Sequence, residues 1–244
     1  MIRNEKLFDG FTLLQSDDFF KLTQDSVLLS EWLKLKKGQR ALELGTGCGG
    51  LWLLAAAKNP GCRIDGLELQ EGALAIAREN QRQNGLEEQG ELIQADLTVW
   101  NGRHQYDVCF CNPPYFEPQK TLTAPHPPRA AARSQQACSM EAVCAAAGRA
   151  LRQGGLFYFC FRPGNWENAQ NALMKNGFAL KRLRMVHQTA EKPAQLMLCC
   201  AAYGGGAWLE IEPPLLLKEL SGEESMEYRR IYRRHQQENR KEEQ

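Results

Sequence analysis

The sequence predicts an α/β fold built on a mostly parallel sheet with helices on both faces. Three observations carry that reading. Residues 40–44, 45–50 and 51–58 run as apolar strand, glycine-rich turn and helix. Residues 62–68 and 72–84 repeat strand and helix, and such alternation builds parallel sheets. Finally, Tyr106-Asp107-Val108-Cys109-Phe110 reads as a buried parallel strand that stops in Cys111-Asn112-Pro113-Pro114-Tyr115-Phe116.

Length and charge bound the class. A chain of 244 residues holds one large α/β domain or two small ones. Hydrophobic content of 43% and charged content of 24% are those of a soluble globular protein. With a formal net charge of +1 there is no global signature for nucleic acid, so any basic footprint must be local. No apolar run reaches membrane-spanning length and the first residues lack a signal-peptide pattern, so no membrane partner and a cytoplasmic location are expected. The nine cysteines include no Cys-x-x-Cys pair. Cys109, Cys111, Cys160, Cys199 and Cys200 fall in expected strands and read as buried small hydrophobes, with no metal site expected.

Residues 1–38 form an N-terminal extension. A Thr/Asp/Ser cap region followed by apolar positions at helical spacing predicts a helix beginning near Asp25. That helix reads either as a lid over a bound molecule or as simple packing on the main domain, residues 39–218. Gly45, Gly47 and Gly50 satisfy G-x-G-x-x-G, the pattern of dinucleotide-binding turns. Glu43 argues against a dinucleotide. A carboxylate just before the first glycine would face a pyrophosphate with the wrong sign, and suits an ammonium or sulfonium instead. Glu68 closes the second strand, placed to bind both ribose hydroxyls. A third strand, 90–94, leads to Asp96, an acceptor suited to an adenine amino group.

The two prolines after Asn112 donate no N–H and bias the preceding residue away from helix. The strand therefore ends in a stiff turn at the sheet edge where ligands bind in open α/β folds. The Asn112 side-chain carbonyl, backbone carbonyls and the Tyr115 ring suit a planar group carrying an NH₂. The same residues also read as a turn that merely closes a strand. Residues 117–137, with Lys120, His126, Arg129 and Arg133, suit phosphate contacts or a flexible loop. Beyond them, a helix over 140–151 stops at Gln153-Gly154-Gly155, followed by a strand over 156–161 and a helix over 166–175. Strands 178–186 and 195–202 form an antiparallel pair, on which Lys181, Arg182 and Arg184 make a positive face or ordinary edge protection. The tail, 219–244, carries Arg229, Arg230, Arg233 and Arg234 on an amphipathic helix starting near Met226.

Carboxylates after strands one, two and three, then Asn-Pro-Pro-Tyr after strand four, resemble the amino-methylating class I S-adenosylmethionine-dependent methyltransferases. The likeness covers roughly residues 25–200. It implies a Rossmann-like, seven-stranded, mostly parallel sheet whose last strand is antiparallel. In order, Asp25-Ser26-Val27-Leu28-Leu29, Leu42-Glu43-Leu44-Gly45-Thr46-Gly47, Cys111 to Phe116 and Glu227-Tyr228 narrow the match. The chain is similar to the bacterial tRNA(Val) adenine-N6 methyltransferases, which modify the adenosine beside the anticodon.

The resemblance implies S-adenosylmethionine held by Asp25, Glu43, Gly45, Gly47, Glu68 and Asp96. It implies Asn112, Pro113, Pro114 and Tyr115 at the reacting centre, and a tRNA substrate touched by Phe116, Arg129, Arg133, Arg229, Arg230 and Arg233. A monomer without metal is expected. Family members often carry Arg-His-Glu after the substrate loop, where this chain has Arg133-Ser134-Gln135. A glutamine-N5 methyltransferase acting on release factors uses the same four-residue motif. A DNA adenine methyltransferase fits less well, since no separate sequence-reading domain is visible, and a non-catalytic RNA-binding module is the reading from another class.

Overall fold

The computed structural model describes residues 2–7, 10–113 and 139–233. A hairpin of β1 (Ile2–Lys6) and β2 (Thr12–Ser16) precedes helix α1 (Gln24–Trp32). Then come β3 (Arg40–Leu44), α2 (Gly50–Lys58), β4 (Arg63–Glu68), α3 (Glu71–Gln83), β5 (Leu92–Gln94) and β6 (Tyr106–Cys111). The second half holds α4 (Met140–Ala150), β7 (Leu151–Phe161), α5 (Trp166–Lys175), β8 (Phe178–His187), β9 (Ala194–Tyr203), β10 (Glu210–Leu216) and α6 (Met226–Arg233).

The main sheet has the order β10-β8-β9-β7-β6-β3-β4-β5. From β7 across to β5 the strands are parallel, and β9 runs antiparallel to both β7 and β8. The expected seven strands are therefore present, with the expected antiparallel one. Alternation along the strands sorts the core into two layers. Val108, Phe110, Tyr158 and Cys160 face a cluster that includes α1, α2 and α3. Cys109, Cys111, Phe157 and Phe159 face the other cluster, with α4 and α5. The eight cysteines among the described residues are all buried. No helix among the described residues is long and apolar enough to cross a membrane.

Three local readings need correction. The sheet has an eighth strand, β10, parallel to β8, which the Glu-Pro-Pro sequence disguises; its register shifts between Glu212 and Leu215 to accommodate the prolines. The Gly154-Gly155 pair does not separate helix from strand. β7 starts at Leu151 directly after α4, and the pairing with β6 slips between Tyr106 and Val108 while Gly154 takes a φ of 75°. The glycines thus serve a bulge inside the strand. The positive face on β8 is largely neutralised as well. Arg182 pairs with Glu212 of β10 and stacks over Trp32 at 4.6 Å, while Arg184 forks onto Glu227 with both distances 2.8 Å. With β10 alongside, β8 is not an edge at all.

Candidate functional site

The turn after β3 is tied both to the neighbouring strand and to itself, Gly49 N donating to Thr46 O at 2.9 Å. Gly45 N and Thr46 N both donate to Leu67 O, at 2.9 and 2.8 Å. Gly47 N donates to Glu68 Oε2 at 2.8 Å, and Gln70 N to Glu68 Oε1 at 2.8 Å. Glu68 is thus a clamp between the glycine turn and the start of α3, with each oxygen accepting from one backbone amide. A carboxylate oxygen carries further acceptor capacity, so the clamp does not preclude a ligand hydroxyl.

The third left-handed glycine of the turn is Gly49, not Gly50. Gly49 caps α2 at φ 84°, and a β-carbon there would lie 3.1 Å from Ala77 Cβ. Both conformation and space therefore demand glycine at that position. Gly50 serves a different purpose, since its β-carbon would lie 3.1 Å from Leu22 Cβ. The segment through Phe19 and Leu22 passes over the turn and over Gly72, where a β-carbon would sit 2.7 Å from Phe19 Cζ. The N-terminal extension therefore roofs the glycine turn.

Glu43 lies beneath that turn, 2% exposed, and its Oε2 has no hydrogen-bond partner among the described residues. The buried Thr46 hydroxyl is also without one. A buried unpaired acceptor is costly. Burial pushes the Glu43 carboxyl well above its ordinary range, and the Glu68 charge adds to the rise. A group raised in this way holds its proton longer in the folded chain than in the unfolded one. Its contribution to stability is full below the ordinary value of 4.5 and is lost as pH rises through the folded value. Glu43→Gln should flatten this loss in the ligand-free protein, read as the denaturation midpoint against pH upward from 4.5. A slope equal to that of the wild type would place the titration elsewhere.

Asp96 follows β5 and caps its own turn: Thr98 N and Thr98 Oγ1 both donate to Asp96 Oδ1, at 2.8 and 2.6 Å. Those hydrogen bonds hold its carboxyl below the ordinary value. At the end of β6, Asn112 Nδ2 donates to Ser26 Oγ at 2.8 Å and to Thr23 Oγ1 at 3.3 Å. Its Oδ1 accepts from Cys160 Sγ at 3.1 Å, and the following Pro113 is buried.

Asp25 is placed differently from Glu43 and Glu68. It sits in the first turn of α1 and pairs with Arg162 Nη2 at 2.9 Å, and Arg162 Nη1 also donates to Gln195 O at 2.8 Å. It belongs with Asn112 at the β6–β7 edge. Of the basic residues on α6, Arg230 is exposed and Arg229 Nε donates to Glu224 O at 2.9 Å. Pro114, Tyr115, Phe116, Arg129 and Arg133, the side chain of Arg233, and Arg234 lie outside the described residues.

Residues 20–191 match the family described as methyltransferase small domain. The chain belongs to that family. Among named relatives, the tRNA1(Val) (adenine(37)-N6)-methyltransferase of Dyadobacter fermentans is 27% identical, covering 88% of this chain and 89% of that protein. The protein of the same name in Bacteroides thetaiotaomicron is 25% identical over 93% of this chain and 94% of its own. A solved structure of a predicted O-methyltransferase from Agrobacterium tumefaciens superposes with a TM-score of 0.70 at 19% identity. It covers 86% of this chain and 96% of that one, and at such identity the likeness is one of fold.

Several residues of the candidate site pass unnoticed in the sequence. Thr23 and Ser26 read as helix-capping candidates, Ser26 also as part of the Asp25–Leu29 stretch that narrows the resemblance, Cys160 as one more strand cysteine, and Arg162 as nothing in particular. Leu69, 44% exposed directly after Glu68, offers an apolar wall beside the carboxylate clamp. Only Leu69 carries a usable signal: a bulky apolar residue following an acidic strand end, outside any apolar period.

Proposed function

We propose that this methyltransferase transfers a methyl group from S-adenosylmethionine to N6 of an adenosine in tRNA, the one beside the anticodon of tRNA(Val). The observation that carries the reading is the Asn112 carboxamide at the carboxyl end of β6, hydrogen-bonded to α1. It lies in the same sheet edge as the glycine turn over Glu43. The unpaired buried Oε2 of Glu43, the Glu68 clamp and the exposed Leu69 fit a ligand with N–H or cationic groups, hydroxyls and a flat apolar part. When bound, the cofactor supplies an electrophilic methyl group.

The protein's own part is orientation. An exocyclic adenine amine is a weak nucleophile because its lone pair is spread into the ring. Acceptance of its two hydrogens by Asn112 Oδ1 and the Pro113 carbonyl draws the nitrogen towards tetrahedral and turns the lone pair out of the plane. Such preorganised acceptors act by geometry and electrostatics, without a strong base. Tyr115 stacks on the extruded base, and Asp96 accepts from the cofactor's adenine. The roofing extension, 1–38, is a lid on the catalytic domain, 39–218, and the protein works as a cytoplasmic monomer. The decisive experiment incubates the protein with labelled S-adenosylmethionine and either unmodified tRNA or a release factor, followed by mass spectrometry of the nucleosides and of the release factor's peptides. N6-methyladenosine is expected, whereas label on a release-factor glutamine, with none on tRNA, would replace this substrate.

Arg129, Arg133 and the α6 residues Arg229, Arg230 and Arg233 carry the phosphate contacts. Reversing Arg229 and Arg230 to Glu should weaken tRNA binding and flatten log affinity against log salt by about one unit for each phosphate no longer neutralised. An unaltered slope would make this face solubilising surface.

A further inference from the structure

The Asn112 carboxamide has two ends of nearly equal shape, and the chemistry proposed above needs its oxygen at the reacting edge. Covalent structure does not choose between the orientations; the neighbours do. On the α1 side stand two hydroxyls, Ser26 Oγ at 2.8 Å and Thr23 Oγ1 at 3.3 Å from Nδ2. On the β7 side stands the thiol of Cys160, 3.1 Å from Oδ1. Two oxygens answer two N–H groups, while a thiol is a weak hydrogen-bonding group in either role. Turning the amide over would take both N–H groups away from these two oxygens.

The hydroxyls are themselves held in place. Thr23 is the N-cap of α1, its Oγ1 accepting from Ser26 N at 3.4 Å, and Ser26 is 3% exposed. Between them in the chain, Asp25 binds Arg162 at the end of β7 at 2.9 Å, so the first turn of α1 is fastened to the same edge. We infer that Ser26, backed by Thr23, is a positioning residue that holds Asn112 with its nitrogen towards α1 and its carbonyl towards the β6–β7 edge. The catalytic consequence rests on the proposed function, whereas the orientation itself does not.

Ser26→Ala removes the nearer acceptor and Ser26→Thr keeps one. In turnover on tRNA, Ser26→Ala should lower kcat about tenfold, the scale of one lost hydrogen bond. KM for tRNA and for cofactor should stay within about twofold, and Ser26→Thr should restore most of the rate. In an Asn112→Asp background there is no amide to orient, so Ser26→Ala should cause no further loss. A readout independent of activity is the Asn112 side-chain amide signal in NMR, identified by its disappearance in Asn112→Asp. That signal should shift and exchange faster in Ser26→Ala. If the wild-type protein leaves tRNA unmethylated, the proposed function fails, and the amide signal still decides this inference. An unchanged signal overturns it, as does an unchanged kcat in active enzyme or an equal loss in the Asn112→Asp background.

Discussion

Replacing Asn112 by Ala should lower the rate constant for methyl transfer about 10²–10³-fold, the usual effect of losing one preorganised polar group at a reacting centre. The interaction matters most when the amine nitrogen is rehybridised, so rate should fall far more than affinity for cofactor or RNA. The structure adds a complication. The same side chain links β6 to Ser26 and Thr23 of α1 and to Cys160 of β7, so the Ala variant also loosens the start of that helix. Asn112→Asp separates the two effects, because it keeps an acceptor of the same shape while losing the N–H donors. Single-turnover methylation with saturating cofactor and RNA is the measurement. An Asn112→Ala enzyme with a near-normal chemical rate would make the turn structural and put the acceptors elsewhere.

Glu68→Ala should weaken cofactor binding by roughly 1.5–3 kcal/mol, the range for hydrogen bonds to a charged group. Part of that loss is indirect. The variant leaves the amides of Gly47 and Gln70 without their acceptor, so the glycine turn and the start of α3 come apart together. Glu68→Gln can still accept through one oxygen and should lose less. Calorimetric titration of S-adenosylmethionine resolves both variants, and unchanged affinity in Glu68→Ala would remove the residue from the cofactor site. The turn should also become more labile to hydrogen exchange at Gly47, which a residue touching only the ligand would not cause.

The elements that the sequence announces plainly are those whose stability is local. The strand–turn–helix of Arg40–Leu44 and Gly50–Lys58, and the α5 helix Trp166–Lys175, carry their apolar period and their stop signals within themselves. β10 does not. Glu210-Ile211-Glu212-Pro213-Pro214 has neither alternation nor uninterrupted donors, and it joins the sheet because Glu212 finds Arg182 and the Trp32 indole N–H. The Gly154 bulge is hidden for the opposite reason: glycine pairs usually stop helices, and only the facing strand reveals a slip in register. Among candidate site residues, Glu43, Glu68 and Asn112 stand out because charge or proline marks them. Ser26, Cys160 and Arg162 acquire meaning only from distances across the fold, which no spacing along the chain encodes.

Helix α1 begins at Gln24, yet its polar partners come from far along the chain. Ser26 waits for Asn112, Asp25 for Arg162, Trp32 for Glu212 and Gln24 for Tyr228, at separations of 86, 137, 180 and 204 residues. Synthesis proceeds from the N-terminus at about 5–20 residues per second, and contacts over such spans close late. The glycine turn and Glu68 are only 21 residues apart and can assemble while translation continues. A nascent chain thus closes its glycine turn first and the long-range braces of α1 last. The polar braces of α1 are thereby completed only after the segment through Tyr228 has emerged from the ribosome.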